Sequence, residues 1–413
     1  MTRDIFGRVR LGYVLVESLR MDEWRHFGTD GLGLHLEESP GDVAAFRIDG
    51  HSRRLIVVDG PAEDVTALAW QVDDHDTLQE IVARLAAQGI TVNPGDPEGA
   101  RLRGVERYWQ FTGPKRLSIE LFTTPLLAAD PLRMTARGFV TGGSGMGHVA
   151  ITSREPGAFL AFWQSIFDAR VSDHIEDRLD GLGFDFTFLR LNERHHSIAI
   201  AATRALRLDP IRTRIHHLNL QAVTLEDVTD AYVRCRTLGY RLANGIGQHP
   251  NDRELSFYVE SPSGFEIELG WNPITVQDES AWQVARYHGI SLWGHQPMNL
   301  DALTRIQRAA RGPGDEPAQQ DHQRQREQLP PLRGIAQQPG EVPQVVTGLP
   351  QLFAHRLVLL RPRAPPSSLV SDPARDAVDG LECLRTVSAQ ERAVDPFAGC
   401  GGRERPRAIE IDV

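Results

Sequence analysis

An internal repeat constrains the fold of this 413-residue chain more than any other feature. Three pairs of segments match in the same order: 11–36 with 146–171, 68–92 with 215–242, and 115–125 with 263–273. Each member of the first two pairs joins a short alternating strand to an amphipathic helix, and each member of the third is a strand. Three matched pairs in one order predict two tandem domains.

The modules inside each copy predict the fold class. A strand–helix–strand module recurs within each copy, which suggests two βαβββ units per domain. We therefore expect an α+β protein of tandem βαβββ modules. In it, each of two domains forms a barrel-like mixed sheet with outer helices. The predicted domains are residues 1–135 and 136–296.

The chain changes character after Trp293-Gly294-His295. The segment 311–332 is rich in Gln, Arg and Pro, and residues 297–413 hold 14 of the 26 prolines. Apolar clusters occur there without a sustained period, which predicts a low-complexity, largely disordered tail over 297–413. Its texture also resembles GC-rich DNA translated in a wrong frame, and a genuine accessory segment is the alternative.

Composition limits the partners and the compartment. A formal net charge of -10 argues against a nucleic-acid-binding protein. No apolar run approaches the roughly 18 residues needed to cross a bilayer, and the first residues lack the pattern of a signal peptide. Cys235, Cys383 and Cys400 show neither metal-site nor disulfide spacing. We therefore expect a cytoplasmic protein without a membrane partner.

Two adjacent histidines, His216 and His217, stand at the start of an apolar run in the second copy. Neighbouring side chains of a strand point to opposite faces, so one of the two should face the interior. A buried imidazole needs a partner for each ring nitrogen, or a metal. Because a single buried histidine is more often satisfied within the core, the pair alone leaves both interpretations open.

Aligning the two copies reveals unequal polar positions. The alignment places Tyr13 at His148, Trp70 at or next to His217, and Glu120 at Glu268. The second copy thus carries two histidines and a carboxylate, whereas the first keeps only the carboxylate. This asymmetry is expected if one copy binds a metal and the other is degenerate. Two neutral imidazoles and one carboxylate leave three positions open on an octahedral ion, a set that suits non-haem Fe(II).

Six blocks of the second copy carry a resemblance to a known family. They are GMGH (145–148), NERHHSIAIAA (192–202), RIHHLNL (214–220), GQHPND (247–252), ELSFYVESPSGFEIELGW (254–271) and SLWGH (291–295). In these blocks the chain resembles the type I extradiol catechol dioxygenases of the vicinal oxygen chelate superfamily, in particular the 2,3-dihydroxybiphenyl 1,2-dioxygenases. The resemblance covers residues 8–296, and the tail has no counterpart in it.

The resemblance implies roles for individual residues. It implies His148, His217 and Glu268 as Fe(II) ligands. It also implies His196 as the acid/base residue near O2, with His249 and Tyr258 as hydrogen-bonding partners of the substrate oxygens. We further expect Asp252 to orient His249, since such a partner fixes the tautomer of a catalytic ring. Apolar walls for the substrate ring are expected from Phe184, Phe186 and Ile290.

The implied activity is extradiol (meta) cleavage of an aromatic catechol, such as 2,3-dihydroxybiphenyl, by O2 at a mononuclear Fe(II) in aromatic-compound catabolism. The first domain would be non-catalytic, and the family pattern implies a homo-oligomer. Mn(II) in place of Fe(II) stays open. The alternative functions are a non-dioxygenase metalloenzyme and a ligand-binding module of the same superfamily.

Overall fold

Two mixed β-sheets form the scaffold in a computed structural model that describes residues 3–37, 42–179, 182–204 and 213–298. All of these residues belong to one compact unit. The predicted tail lies outside the described residues except for Pro297 and Met298. No helix in the described segments is long and apolar enough to cross a membrane.

The first sheet is built from the first half of the described chain. Its strands are β1 (Val9–Ser18), β2 (His35–Glu37), β3 (Val43–Arg47), β4 (Leu55–Asp59), β5 (Asp64–Val72), β6 (Asn93–Pro94), β7 (Trp109–Thr112) and β8 (Ser118–Phe122). They lie in the order β2-β3-β4-β1-β5-β8-β7-β6. The helices are α1 (Met21–His26), α2 (His75–Ala87) and α3 (Pro97–Arg103), with a π-helical turn at Phe27–Gly31 and a 3-10 turn at Pro114–Arg116.

The second sheet repeats this plan and adds one strand. Its strands are β9 (Val149–Thr152), β10 (Arg170–Leu179), β11 (Leu182–Arg190), β12 (Ile198–Thr203), β13 (His217–Ala222), β14 (Leu242–Gln248), β15 (Leu255–Glu260), β16 (Glu266–Trp271) and β17 (Ala285–His288). Their order is β14-β15-β16-β13-β9-β12-β11-β10-β17. The helices are α4 (Pro156–Phe167) and α5 (Leu225–Thr237), with a 3-10 turn at Gly142–Ser144.

Each sheet contains two βαβββ units placed side by side. In the first sheet β1 pairs in parallel with β4 and antiparallel with β5, which in turn pairs in parallel with β8. In the second sheet β9 makes the same kinds of pair with β12 and β13, and β13 pairs in parallel with β16. The predicted α+β class and its tandem βαβββ modules are confirmed.

Both faces of each sheet are buried, but by different neighbours. One large core cluster joins the helices to both sheets, and it contains Trp24, Trp70 and Trp163. Smaller clusters cover the opposite faces: one around Tyr13 and Phe122 in the first sheet, another around Phe188 and Tyr287 in the second. The opposite face of the second sheet is the one that carries the candidate site.

The strand register corrects one predicted equivalence between the copies. It pairs Ala67 with Ser118 and Ala69 with Glu120 in the first sheet, and His217 with Glu266 and Asn219 with Glu268 in the second. With the two glutamates at positions 120 and 268 as equivalents, Ala67 occupies the place of His217. The predicted match of Trp70 with His217 is therefore wrong. Trp70 lies three residues after Ala67, and this odd offset turns its side chain to the other face of the first sheet. There the centroid of its ring is 5.0 Å from that of Trp163.

Candidate active site

Strand β13 lies between β9 and β16, and this order brings three residues from separate blocks to one place. His148 immediately precedes β9, His217 opens β13, and Glu268 lies in the middle of β16. The side chains of His148 and Glu268 are buried, and that of His217 is 12% exposed. The three predicted ligand residues thus meet on one face of the second sheet.

Their donor atoms form a small triangle. The Nε2 atoms of His148 and His217 are 3.3 Å apart. Oε2 of Glu268 lies 3.1 Å from Nε2 of His148 and 3.4 Å from Nε2 of His217. Ligands about 2.1 to 2.2 Å from one ion and at right angles to each other are about 3.0 to 3.1 Å apart. The triangle is close to this size, so the three atoms fit one divalent cation.

The protonation states of this group also suit a cation. Burial lowers the pKa of His148 and holds the pKa of His217 well below its ordinary value. Burial alone would raise the pKa of Glu268, but hydrogen bonds from His148 and His249 hold it well below its ordinary value. The group therefore offers neutral imidazoles and an ionised carboxylate, which are the forms that bind metals.

The second carboxylate oxygen of Glu268 collects hydrogen-bond donors. Its Oε1 accepts from the hydroxyls of Tyr258 and Ser256, each at 2.7 Å, and lies 3.2 Å from Nε2 of His249. The hydroxyl of Tyr258 and Nε2 of His249 are themselves 2.8 Å apart. The two residues predicted to hold the substrate oxygens therefore stand together, directly beside the triangle.

The ring of His249 is oriented by a backbone carbonyl. Its Nδ1 lies 2.7 Å from the carbonyl oxygen of Ile290 and donates to it. Burial would lower the pKa of His249, but the hydrogen bond to Glu268 and the charge of Asp252 raise it to about 9. Burial and the charge of Glu268 raise the pKa of Tyr258 well above its ordinary value. At neutral pH His249 is therefore protonated on both ring nitrogens, and the hydroxyl of Tyr258 keeps its hydrogen.

Asp252 does not make the contact expected for it. Both ring nitrogens of His249 have other partners, whereas Oδ2 of Asp252 lies 3.7 Å from Nδ1 of His196. The other carboxylate oxygen, Oδ1, accepts from the backbone nitrogen of Glu254, which fixes the side chain within its own turn. The prediction that Asp252 orients His249 by a hydrogen bond is thus wrong. The charge of Asp252 acts on His249 only through space.

His196 lies against the triangle without joining it. Its ring is buried, and its centroid is 3.9 Å from that of His148. Burial holds the pKa of His196 well below its ordinary value. His216 lies outside the triangle: its ring is about one-third exposed, with Nε2 4.0 Å from Glu266.

Sequence reasoning missed two residues that complete the site. Ser256 donates to Glu268, and its hydroxyl lies 3.2 Å from Nε2 of His295. His295 is buried, with its ring centroid 4.4 Å from that of His249. Ser256 precedes Tyr258 by two positions on one strand, so the period of two places both on the same face. His295 is the last residue of the block SLWGH, and its place in that block was the sequence feature that could have identified it.

The expected apolar walls lie on one side of this site. Phe186 and Ile290 pack against the cluster that contains Phe188 and Tyr287. Phe184 stacks on Phe186 with ring centroids 6.1 Å apart. The three expected wall residues therefore lie in or next to one apolar cluster formed by β11 and the segment around β17.

Comparison with known proteins agrees with this arrangement. Residues 145–269 match the Glyoxalase/Bleomycin resistance protein/Dioxygenase superfamily, and residues 11–60 match the dihydroxybiphenyl dioxygenase D1 family. The chain is 34% identical over 292 residues to the biphenyl-2,3-diol 1,2-dioxygenase of Pseudomonas sp. strain KKS102, a match that spans 70% of this chain and 97% of the relative. The chain belongs to the extradiol dioxygenases.

Other similarities of this extradiol dioxygenase agree with that membership. It is 36% identical over 295 residues to the 3-methylcatechol 2,3-dioxygenase of Pseudomonas putida. This match covers 70% of this chain and 97% of the relative. A solved halotolerant catechol dioxygenase superposes with a TM-score of 0.63 at 28% identity, over 70% of this chain and 94% of that one. The family implies a metal, and the group His148, His217 and Glu268 offers ligands for it.

Proposed function

We propose that this dioxygenase opens a catechol ring next to its two hydroxyls, at one Fe(II) ion held by His148, His217 and Glu268. The observation that carries the proposal is the buried triangle of two imidazole nitrogens and one carboxylate oxygen. When bound, Fe(II) supplies open positions where both substrates can meet and exchange electrons. Both atoms of O2 enter the product.

His249 and Tyr258 would bind the catechol oxygens. Each carries a proton at neutral pH, and their polar atoms converge beside Glu268. Two convergent donors stabilise a substrate oxygen that has lost its proton, because a hydrogen bond to a charged acceptor is stronger than one between neutral groups. A catechol would therefore bind as an anion, with its ring against Phe186 and Ile290.

His196 would move protons during the reaction. Its lowered pKa keeps the imidazole neutral at neutral pH, so it can accept a proton when substrate binds and return it when the ring opens. Its position outside the ligand triangle leaves it free for this role. Asp252, 3.7 Å from Nδ1 of His196, would stabilise the protonated form that arises in between.

The substrate is proposed from the family and from the apolar wall. Two relatives are named for biphenyl-2,3-diol and for 3-methylcatechol, which are catechols with an apolar substituent. The wall along β11 suits such a substituent. We propose 2,3-dihydroxybiphenyl as the first substrate to assay, in the context of aromatic-compound catabolism in the cytoplasm.

The domain roles follow the same argument. We propose that residues 136–296 form the catalytic domain and residues 1–135 a non-catalytic one. In the first sheet Tyr13 and Ala67 occupy the places of His148 and His217, so two of the three ligands have no counterpart there. Assembly into a homo-oligomer is proposed on the family pattern alone.

The test combines oxygen uptake with isotope incorporation. The chain is loaded anaerobically with Fe(II), Mn(II) or redox-inactive Zn(II), mixed with 2,3-dihydroxybiphenyl, and supplied with 18O2. We expect uptake of one O2 per catechol with Fe(II), two labelled oxygen atoms in the ring-opened product, and no reaction with Zn(II). Greater activity with Mn(II) than with Fe(II) would identify Mn(II) as the metal of this site. Turnover of a different substrate class with Zn(II) and no O2 uptake would support the alternative, a non-dioxygenase metalloenzyme.

A further inference from the structure

Two buried polar side chains, Asp173 and His195, form a hydrogen-bonded chain that ends at His196. Nδ1 of His196 lies 3.1 Å from Nδ1 of His195, and Nε2 of His195 lies 2.8 Å from Oδ2 of Asp173. Asp173 is fully buried, and the two histidines are 1% and 4% exposed. Neither His195 nor Asp173 contacts the ligand triangle in any described hydrogen bond or ring pair.

A local irregularity of the second sheet aims Asp173 inward. The pairing of β10 with β11 shifts register between Val171 and Asp173, which marks a β-bulge. Ser172, the extra residue, donates its hydroxyl to the carbonyl oxygen of His195. Oδ1 of Asp173 accepts from the backbone nitrogen of Ala285 on β17, the strand that the first sheet lacks. Asp173 is thus held by two neighbouring strands.

The direction of these hydrogen bonds follows from donor and acceptor chemistry. An ionised carboxylate only accepts, so Nε2 of His195 must carry the hydrogen that Asp173 receives. Nδ1 of a neutral His195 is then a bare acceptor. With His195 in this neutral form, the one available donor in the close Nδ1–Nδ1 contact is Nδ1 of His196. A neutral His196 has its lone pair on Nε2, the nitrogen on the ring edge away from His195.

We propose that Asp173 and His195 are positioning residues that fix His196 in the Nδ1–H tautomer, so that Nε2 is the atom that takes up and returns the proton. Asp252 favours the same tautomer, because its carboxylate faces Nδ1 of His196 at 3.7 Å. The effect of the tautomer on catalysis rests on the proposed function of His196 as the proton carrier. The tautomer itself is measurable without turnover.

Asp173→Asn reverses the chain of hydrogen bonds. The backbone nitrogen of Ala285 is a fixed donor, so it retains the single amide oxygen of the new side chain. The amide nitrogen then faces Nε2 of His195, which must become an acceptor and carry its hydrogen on Nδ1. His195 now donates to His196, whose hydrogen moves to Nε2. The reacting nitrogen can no longer accept a proton in the neutral form.

Nitrogen NMR reads the tautomer directly. The full chain is labelled with 15N-histidine, loaded with diamagnetic Zn(II) and studied at pH 8, where a free imidazole is neutral. Loss of one signal set in His196→Gln assigns His196. We expect a protonated Nδ1 and a bare Nε2 in the wild-type chain, and the reverse in Asp173→Asn. A protonated Nε2 in the wild-type chain overturns the proposal, even if the variant does not fold.

Steady-state kinetics provide a second test of the role of Asp173. With Fe(II), Asp173→Asn should lower kcat on the order of 100-fold or more, while KM and metal content change less than about twofold. Asp185→Asn, an exposed carboxylate on β11 that pairs with Arg204, is the matched control and should leave kcat unchanged. An unchanged kcat in Asp173→Asn with a reversed tautomer overturns the positioning role.

Two substitutions of His195 separate hydrogen-bond direction from packing. His195→Gln can donate its amide N–H to Asp173 and accept from Nδ1 of His196, so it preserves the direction of the chain. His195→Leu fills the space without either bond. We expect kcat of the Gln variant to exceed that of the Leu variant at least roughly tenfold, with His196 keeping its Nδ1 hydrogen only in the former. Equal losses in both would overturn the proposal. If no Fe(II)-loaded form cleaves any catechol, the proposed function fails while the NMR result stands.

Discussion

Glu120 and Glu268 occupy the same register position in the two sheets, yet they face different partners. Glu268 faces the imidazoles of His148 and His217. Glu120 receives two hydrogen bonds from Arg103, each at 2.6 Å, and a third from the hydroxyl of Tyr13 at 2.5 Å. An arginine thus supplies in the first sheet the positive charge that a metal would supply in the second.

The first prediction tests the pairing of Arg103 with Glu120. Replacing Arg103 with Met leaves a carboxylate that is 1% exposed without its cation, which should destabilise the chain by about 3 to 5 kcal/mol. Denaturant unfolding measures this change. The double variant Arg103→Met/Glu120→Leu removes both charges and should recover most of the loss. Arg107→Met, an exposed neighbour, is the control and should change stability by less than about 0.5 kcal/mol.

This arginine also shows where sequence reasoning stopped. The repeat alone predicts that Glu120 either reaches solvent or pairs with an arginine such as Arg107 or Arg116. Glu120 does pair with an arginine, but the partner is Arg103. Arg103 is the last residue of α3, and Gly104, whose backbone adopts a left-handed conformation, follows it directly. From this helix end the guanidinium of Arg103 hydrogen-bonds both carboxylate oxygens of Glu120. Nothing in the spacing of three arginines distinguishes the one that a helix end will direct inward.

Other parts of the site were accessible from the sequence for a physical reason. The positions of His148, His217 and Glu268 were found because the two copies differ there while the strand pattern stays the same. Asp173 was not found, because a β-bulge changes the face to which its side chain points and a period of two cannot register an extra residue. The misplaced Trp70 had a different origin, because the two copies were aligned three residues out of register there, an odd number.

The second prediction concerns metal stoichiometry. Anaerobic loading should give one ion per chain, because the first sheet keeps only a carboxylate that is already paired. His148→Ala, His217→Ala and Glu268→Gln should each lower the metal content at least roughly tenfold. His288→Gln, an exposed histidine on β17, is the control. Two tightly bound ions per chain, measured by atomic emission, would contradict the argument from the repeat.

The third prediction separates the proton carrier from the ligands. His196→Gln should lower kcat by roughly 100-fold or more, a usual size for general acid–base catalysis, and should leave the metal content near that of the wild-type chain. His174→Gln, on β10, provides a comparison outside the site. Loss of metal from the His196 variant would show that this residue is a ligand and would refute its proposed role.

The fourth prediction concerns the hydroxyl of Tyr258. Tyr258→Phe removes one donor to Glu268 and leaves the ring in place. A hydrogen bond to a charged group contributes about 1.5 to 3 kcal/mol, so kcat/KM should fall roughly 10- to 100-fold. Tyr240→Phe, whose ring contacts Phe27 outside the site, should retain full activity. An unchanged kcat/KM in Tyr258→Phe would remove this residue from substrate binding.

The last prediction concerns the end of the domain. The last described segment, residues 291–298, runs along β14: the backbone of Gln248 pairs with Trp293, Gly245 with Gln296, and Ala243 with Met298. It also carries His295 into the site, beside Ser256. A chain that ends at Met298 keeps all of these contacts and should retain solubility, metal content and activity within about twofold of the full chain.

A chain that ends at Ile290 serves as the contrasting truncation. It exposes the edge of β14 and removes His295, so we expect aggregation or loss of activity. Gel filtration and oxygen uptake of the two truncated chains distinguish the cases. Inactivity of the chain that ends at Met298 would show that residues 299–413 contribute to the fold or to assembly, and it would refute the prediction that the tail is dispensable.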